Sequence, residues 1–172
     1  MRTIRIAGFG VLVAAGLLIA APFRTTAADG DAMQRLLDKA AIEDVLVQYT
    51  RALDTLDPDR YASVFAEDAV FEMGQGQTRK GRAEIRSIIT GLQDSRAERE
   101  AAGTATPSLM HHVMTNATLD IVSDREAHHY AYWMTILGDA ENNYRIASMG
   151  HYEDVIVKRD GQWLIQSRRL LR

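Results

Sequence analysis

Five histidines, a scatter of carboxylates and no cysteine set the chemistry open to this 172-residue chain. Without a thiol there is no sulfur nucleophile, no disulfide and no cysteine metal site. No glycine-rich phosphate loop, serine nucleophile elbow or helical His-Glu-x-x-His zinc pattern occurs, which leaves proton transfer by His, Asp and Tyr. Four of the histidines form adjacent pairs, His111-His112 and His128-His129. Neighbours on a strand point to opposite faces, so only one of each pair can face an interior, and neither dipeptide makes a metal site by itself. With His112 go Met114, Asn116 and Thr118; with His111 go the more apolar Val113, Thr115, Ala117 and Leu119, and periodicity leaves open which histidine turns inward. His128 and His129 follow Asp124, Arg125 and Glu126, a setting that suggests solvent exposure. Tyr49 and Asp54 are separated by roughly 140° on an ideal helix, so spacing alone does not pair them. By themselves they suggest a core tyrosine and a solvated carboxylate. Gly150, Tyr152 and Asp154 share one face of a later segment, and Met149, His151 and Glu153 the other. Arg168 and Arg169 are opposed in the same way and, so near the chain end, suggest surface charge.

The elements that must position these groups follow from hydrophobic periodicity. Met33, Leu36, Leu37, Ala40, Ala41, Val45, Leu46, Tyr49 and Leu53 recur at three- and four-residue steps and predict one long amphipathic helix with a buried stripe. Asp57-Pro58-Asp59 breaks it, with Pro58 favoured at a first helical position behind a capping Asp57, and Tyr61, Val64 and Phe65 line a second short helix. Ala69 to Met73 is a short apolar strand ended by Gly74-Gln75-Gly76, and Arg82 through Leu92 predicts a third helix. Asp94 to Ser108 suggests a helix end and an exposed loop. Four segments rich in β-branched and aromatic residues then follow, Met110 to Ile121, Glu126 to Leu137, Ile146 to Lys158 and Gln162 to Leu170. Turn signals separate them, including a tight hairpin at Arg159-Asp160-Gly161, so consecutive strands should pair antiparallel. Helices followed by long strands form an α+β pattern, in which a curved sheet wraps over segregated helices and leaves a pocket between.

Composition bounds the rest. At 47% hydrophobic and 25% charged residues the chain can bury a core, and a formal charge of -3 with scattered Lys and Arg gives no field for nucleic acid. Arg2 and Arg5, the apolar run from Ile6 to Ala21 and the small residues Thr26-Ala27-Ala28 have the form of a secretory leader. The run is about 16 residues, short of the roughly 20 of a spanning helix, so a membrane is expected as a partner only if the leader stays uncleaved. The division is therefore a signal peptide over 1–28 and one domain over 29–172, exported to a periplasmic or secreted location.

These residues together carry a resemblance. Ile42-Glu43-Asp44, Tyr49 to Asp54, Phe65 to Phe71, His111-His112 to Asn116, Gly150 to Asp154, Asp160-Gly161-Gln162-Trp163 and Arg168 resemble the SnoaL-like branch of the nuclear transport factor 2-like superfamily, which includes scytalone dehydratase and bile acid 7α-dehydratase. The resemblance implies a cone-shaped α+β barrel, a curved antiparallel sheet wrapped over three helices. It implies a cofactor-independent lyase without metal, a dehydratase or related elimination enzyme including the formaldehyde-releasing type, acting on a hydroxylated aromatic or alicyclic molecule. The alternative is an exported protein that only binds a small hydrophobic molecule. Tyr49, Asp54, His112 and Arg168 take the catalytic positions, and Phe71, Asn116, Trp133 and Tyr152 the substrate-binding ones. Asp54 would hold His112 as the acid/base, and Tyr49 would donate to a departing hydroxyl or oxyanion. Scytalone dehydratase's second catalytic histidine falls near Leu137, so one histidine must suffice. The superfamily also implies a homo-oligomer, a dimer or trimer. If Asp54 orients His112, the two side chains must lie within hydrogen-bond reach.

Overall fold

The computed structural model describes residues 27–104, 109–139, 141 and 143–171, so the leader-like segment lies outside the described residues apart from its end, as do 105–108 of the loop expected after the third helix. The order is α1 (Ala27–Asp54), α2 (Pro58–Ser63), β1 (Phe65–Glu72), β2 (Thr78–Lys80), α3 (Gly81–Ala101), β3 (Leu109–Ile121), β4 (Glu126–Gly138), β5 (Tyr144–Arg159) and β6 (Gln162–Leu171). The strands form one sheet in the order β2-β1-β6-β5-β4-β3. From β3 to β6 neighbours pair antiparallel, as the turn signals predict. β1, however, pairs parallel with β6, so the sheet is mixed, and it stays open between its edge strands β2 and β3 instead of closing into a full barrel. Among the described residues no helix is long and apolar enough to cross a membrane.

The helices lie on one face of the sheet. On α1 the buried positions are Asp38, Ile42, Leu46, Tyr49, Ala52 and Leu53, a stripe at helical spacing. The expected stripe is corrected in its first half: Met33, Leu36 and Leu37 are more than half exposed, at 58%, 63% and 56%, and Ala40 and Ala41 are exposed as well. The first buried position is Asp38, whose carboxylate accepts hydrogen bonds from Trp163 Nε1 at 2.9 Å and Lys158 Nζ at 2.6 Å. Burial works to raise the pKa of Asp38, and these bonds together outweigh it and hold the carboxyl below its usual range. α2 starts as expected, with Asp57 accepting from the Arg60 amide at 3.0 Å and Pro58 in the first turn. It stops at Ser63, and Phe65 opens β1 instead of continuing the helix. A larger cluster around Tyr49, Tyr61, Phe65, Trp133 and Tyr152 and a smaller one around Ile42, Leu46, Ile156 and Trp163 fill the space between the layers.

Two irregularities decide which side chains face inward. Thr115 pairs with Tyr132 and Thr118 with Tyr130, so β3 carries an extra residue, and Asn116 sits there with φ at 51°. Before the bulge His112 and Met114 are on the inner face; after it Leu119 and Ile121 are. On β6, Ser167 pairs with Val155 and Ile165 with Ile156, so Gln166 is extra and the inward set changes from Trp163 and Ile165 to Arg168.

Candidate active site

α1 ends at Asp54 in a tight helix stop. The amides of Leu56 and Asp57 bond back to the carbonyls of Leu53 and Ala52 at 3.2 and 2.9 Å, with Leu56 in the left-handed region at φ 52°. This fixes the last helical residue and aims its carboxylate at the start of β3. The C-terminal end of a helix dipole disfavours negative charge, so an ionised Asp54 needs donors from elsewhere. His112 supplies two: its backbone amide lies 2.8 Å from Asp54 Oδ1 and its ring Nδ1 2.7 Å from the same oxygen. The His112 side chain is 10% exposed and that of Asp54 23%, so the pair sits at the margin of the interior. His111 points outward, 56% exposed, with Nδ1 3.9 Å from Asp54 Oδ2. An ionised carboxylate only accepts, so Nδ1 of His112 carries the hydrogen and Nε2 is the basic nitrogen.

Deeper in, a second polar group crosses the sheet. His129, Asp154 and Arg168 are direct cross-strand partners on β4, β5 and β6, flanked by Leu119 on β3 and Phe71 on β1. Arg168 Nε donates to Asp154 Oδ1 and Nη2 to Oδ2, each at 2.7 Å, and His129 Nδ1 lies 2.7 Å from Oδ2. All three side chains are buried. Burial works to raise the pKa of Asp154, but the Arg168 charge and the hydrogen bonds outweigh it and hold the carboxyl below its usual range. Burial likewise works to lower the pKa of Arg168, and Asp154 reverses this to a net rise, so the guanidinium stays charged. Its Cζ lies 3.9 Å from the Tyr49 ring centroid and 4.1 Å from that of Tyr152, two rings that meet edge to face. The Tyr61 hydroxyl donates to that of Tyr49 at 3.4 Å, and burial pushes the phenols of Tyr61 and Tyr152 well above the ordinary tyrosine range. Both remain protonated at neutral pH, and the single Tyr61 proton is directed at Tyr49.

The structure thus brings Asp54 and His112 together at the margin, and Tyr49, Arg168 and Tyr152 together in the interior. Trp133 stacks on Tyr152 at 5.8 Å, and Phe71 stacks on Phe65 at 6.1 Å. Asn116 is a correction: it lies exposed on the bulge, its side-chain oxygen accepting from the Thr115 hydroxyl at 3.2 Å, and does not line the interior. The suggestion of surface charge for Arg168 fails because Gln166 turns it inward to 1% exposure. That of solvent exposure for both His128 and His129 fails for His129, which alternation places among buried Ala127, Ala131 and Trp133. Tyr61 and His129 were missed as members of the polar interior; the only sequence sign for His129 is strand alternation with Ala127 and Ala131. A groove of about 480 Å³ has His129, Asp154 and Arg168 in its lining together with Glu72, Glu153 and Arg169, and does not include Asp54 or His112. Among the described residues no group of three or more His, Cys, Asp or Glu side chains is arranged to hold a metal ion.

Helices packed on one face of an open, curved sheet with polar groups between the layers define the cystatin-like α+β class, and a Nostoc punctiforme protein of that fold superposes with a TM-score of 0.62 at 22% identity over 78% of this chain and 90% of its own. The chain belongs to the SnoaL-like domain family of the nuclear transport factor 2-like superfamily, matching it over residues 34–169. A Mycobacterium tuberculosis protein of unknown function is similar at 26% identity, covering 83% of this chain and 76% of that one, with a TM-score of 0.67. A Novosphingobium aromaticivorans protein described as a candidate scytalone dehydratase is similar at 27% identity, covering 81% and 86%, with a TM-score of 0.65. LinA shares the fold at 21% identity, covering 81% and 88%, with a TM-score of 0.66. No protein of curated function matches the chain.

Proposed function

We propose that this protein is a cofactor-independent lyase, a dehydratase or related elimination enzyme including the formaldehyde-releasing type, acting on a hydroxylated aromatic or alicyclic small molecule. The observation that carries the reading is the 2.7 Å contact between Asp54 Oδ1 and His112 Nδ1. Likeness to a candidate scytalone dehydratase supports the reaction class. In this reading His112 Nε2 removes a proton from the substrate, the C–H electron pair forms the new double bond, and the carbon–oxygen bond breaks. The departing oxygen takes the proton that His112 removed and leaves as water, which returns His112 to its starting form. Asp54 stabilises the transient imidazolium. Tyr49, with Tyr61 and Tyr152 beside it, supplies hydrogen-bond donors to the departing or developing negative oxygen, and Arg168 balances charge there. Trp133, Phe71 and the tyrosine rings match an aromatic or alicyclic body.

We also propose that the protein is exported and self-associates, the first from the leader-like sequence of residues 1–28 and the second from the superfamily. The test of function is incubation with hydroxylated aromatic, diarylpropane and steroid-like compounds, with products identified by mass. Loss of water or formaldehyde supports a lyase; retention of a compound without mass change supports the binding-protein alternative and rejects the enzyme.

A further inference from the structure

The elimination reading uses one His–Asp pair and leaves the other unexplained. The His129 side chain is 1% exposed, its Nδ1 lies 2.7 Å from Asp154 Oδ2, and its Nε2 has no hydrogen-bond partner among the described residues. A buried polar atom without a partner costs about 1–3 kcal/mol, so an apolar side chain would sit at this position at lower cost to the fold. What the imidazole adds is the Nδ1 contact. Asp154 is ionised, because Arg168 holds it so, and an ionised carboxylate only accepts. A hydrogen is therefore on Nδ1, facing Asp154 Oδ2. A protonated imidazole would place a second cation beside Asp154 and leave a net charge in a buried cluster whose single anion already serves Arg168.

We propose that His129 is a positioning residue for Arg168, acting through Asp154. Arg168 bonds Asp154 through Nε and Nη2, packs against the rings of Tyr49 and Tyr152, and has a buried Nη1 without a partner among the described residues. Nη1 is thus the nitrogen of that guanidinium with both hydrogens left to donate to a ligand oxygen. With Arg168 alone, carboxylate and guanidinium can turn together as a rigid fork. The His129 bond arrives on Oδ2 from the neighbouring strand on the other side and pins the carboxylate, which fixes the plane of the guanidinium and the direction of Nη1. The geometric claim stands on these contacts, and its catalytic consequence rests on the elimination reading.

Nuclear magnetic resonance on the full chain tests the geometry. The His129 ring should show a protonated Nδ1 and a bare Nε2; an imidazolium or an Nε2–H tautomer overturns the proposal, and this measurement on the unaltered protein does not depend on any variant folding. The Arg168 Nε proton should be displaced by the two tyrosine rings. His129→Asn keeps a donor near the position of Nδ1 and should retain that displacement, whereas His129→Leu should lose at least half of it while the Trp163 indole signal stays in place. An unchanged Arg168 signal in His129→Leu overturns the proposal. On any compound that turns over, His129→Leu should lower kcat about tenfold, one decade per 1.36 kcal/mol, with KM and the pH profile unmoved, and His129→Asn should restore it to within about threefold. Equal kcat in His129→Leu overturns the catalytic consequence, and if no compound turns over only the elimination reading fails, because the resonance arm decides the geometry.

Discussion

Replacing Asp54 with asparagine should lower kcat by about two orders of magnitude and leave the fold intact. Both His112 bonds end on Oδ1, the backbone amide at 2.8 Å and the ring nitrogen at 2.7 Å, and a carboxamide oxygen in that place can accept both. What Asp54→Asn removes is the negative charge beside the imidazolium that forms during proton abstraction. Unit charges 2.7 Å apart attract by about 1.5 kcal/mol in bulk water and by about 6 kcal/mol at an effective dielectric constant of about 20. The pair is partly buried, so a value near 3 kcal/mol applies, and at about 1.4 kcal/mol per decade this is roughly a hundredfold. The lost attraction acts on the charge that develops during proton abstraction and not on substrate binding, so KM should hardly move. Asp54→Ala removes the acceptor as well, leaves the His112 amide unpaired and releases the ring tautomer, so it should be slower still. The assay is initial rate by product mass on a compound that turns over, with thermal melts of each variant as the control on folding. Asp54→Asn at more than a third of the normal kcat, or a change confined to KM, would refute the electrostatic reasoning.

Three further outcomes follow from the scaffold. Asp154→Asn strips the charge that Arg168 is paired with and should cost about 3–5 kcal/mol, read by urea unfolding. The Asp154 pKa is lower folded than unfolded, so its contribution is fully present above the unfolded value near 3.8 and is lost as pH falls through the lower folded one; Asp154→Asn should therefore flatten the acid limb of the stability profile. Gly150→Ala would put a Cβ 2.1 Å from the Leu171 carbonyl oxygen and 3.0 Å from the Trp133 ring, and should cost about 3 kcal/mol; a melt within a degree of the parent would contradict this packing. Asp57→Ala removes the cap of α2 and should cost about 1 kcal/mol by the same melts.

Much of the scaffold was legible because local chemistry and long-range packing agree. The Asp57-Pro58 start of α2, the hairpin at Asp160 and Gly161, both at positive φ, and the long strands of the C-terminal half stand within a residue or two of expectation. The parallel pairing of β1 with β6 is a non-local choice that no turn signal reports, and β2 is too short to show a period. The site was harder to see because bulges break the period of two. Counting alternate residues back from Ile121 and Leu119 turns His111 inward, and counting on from Trp163 and Ile165 turns Arg169 inward; one extra residue at Asn116 and another at Gln166 reverse both. Neither residue type announces a bulge, so His112 and Arg168 were reached through resemblance and not through pattern. His129 was hidden by its charged neighbours, since the same three residues that make the turn also make the whole strand start look solvated.

The most direct test of the central claim compares the protein with His112→Ala on the same set of hydroxylated aromatic, diarylpropane and steroid-like compounds, with products followed by mass. The account predicts that the protein forms a product lighter by water or formaldehyde and that His112→Ala, folded by its melt, forms none above background. Equal product from both would contradict the assignment of His112 as the base.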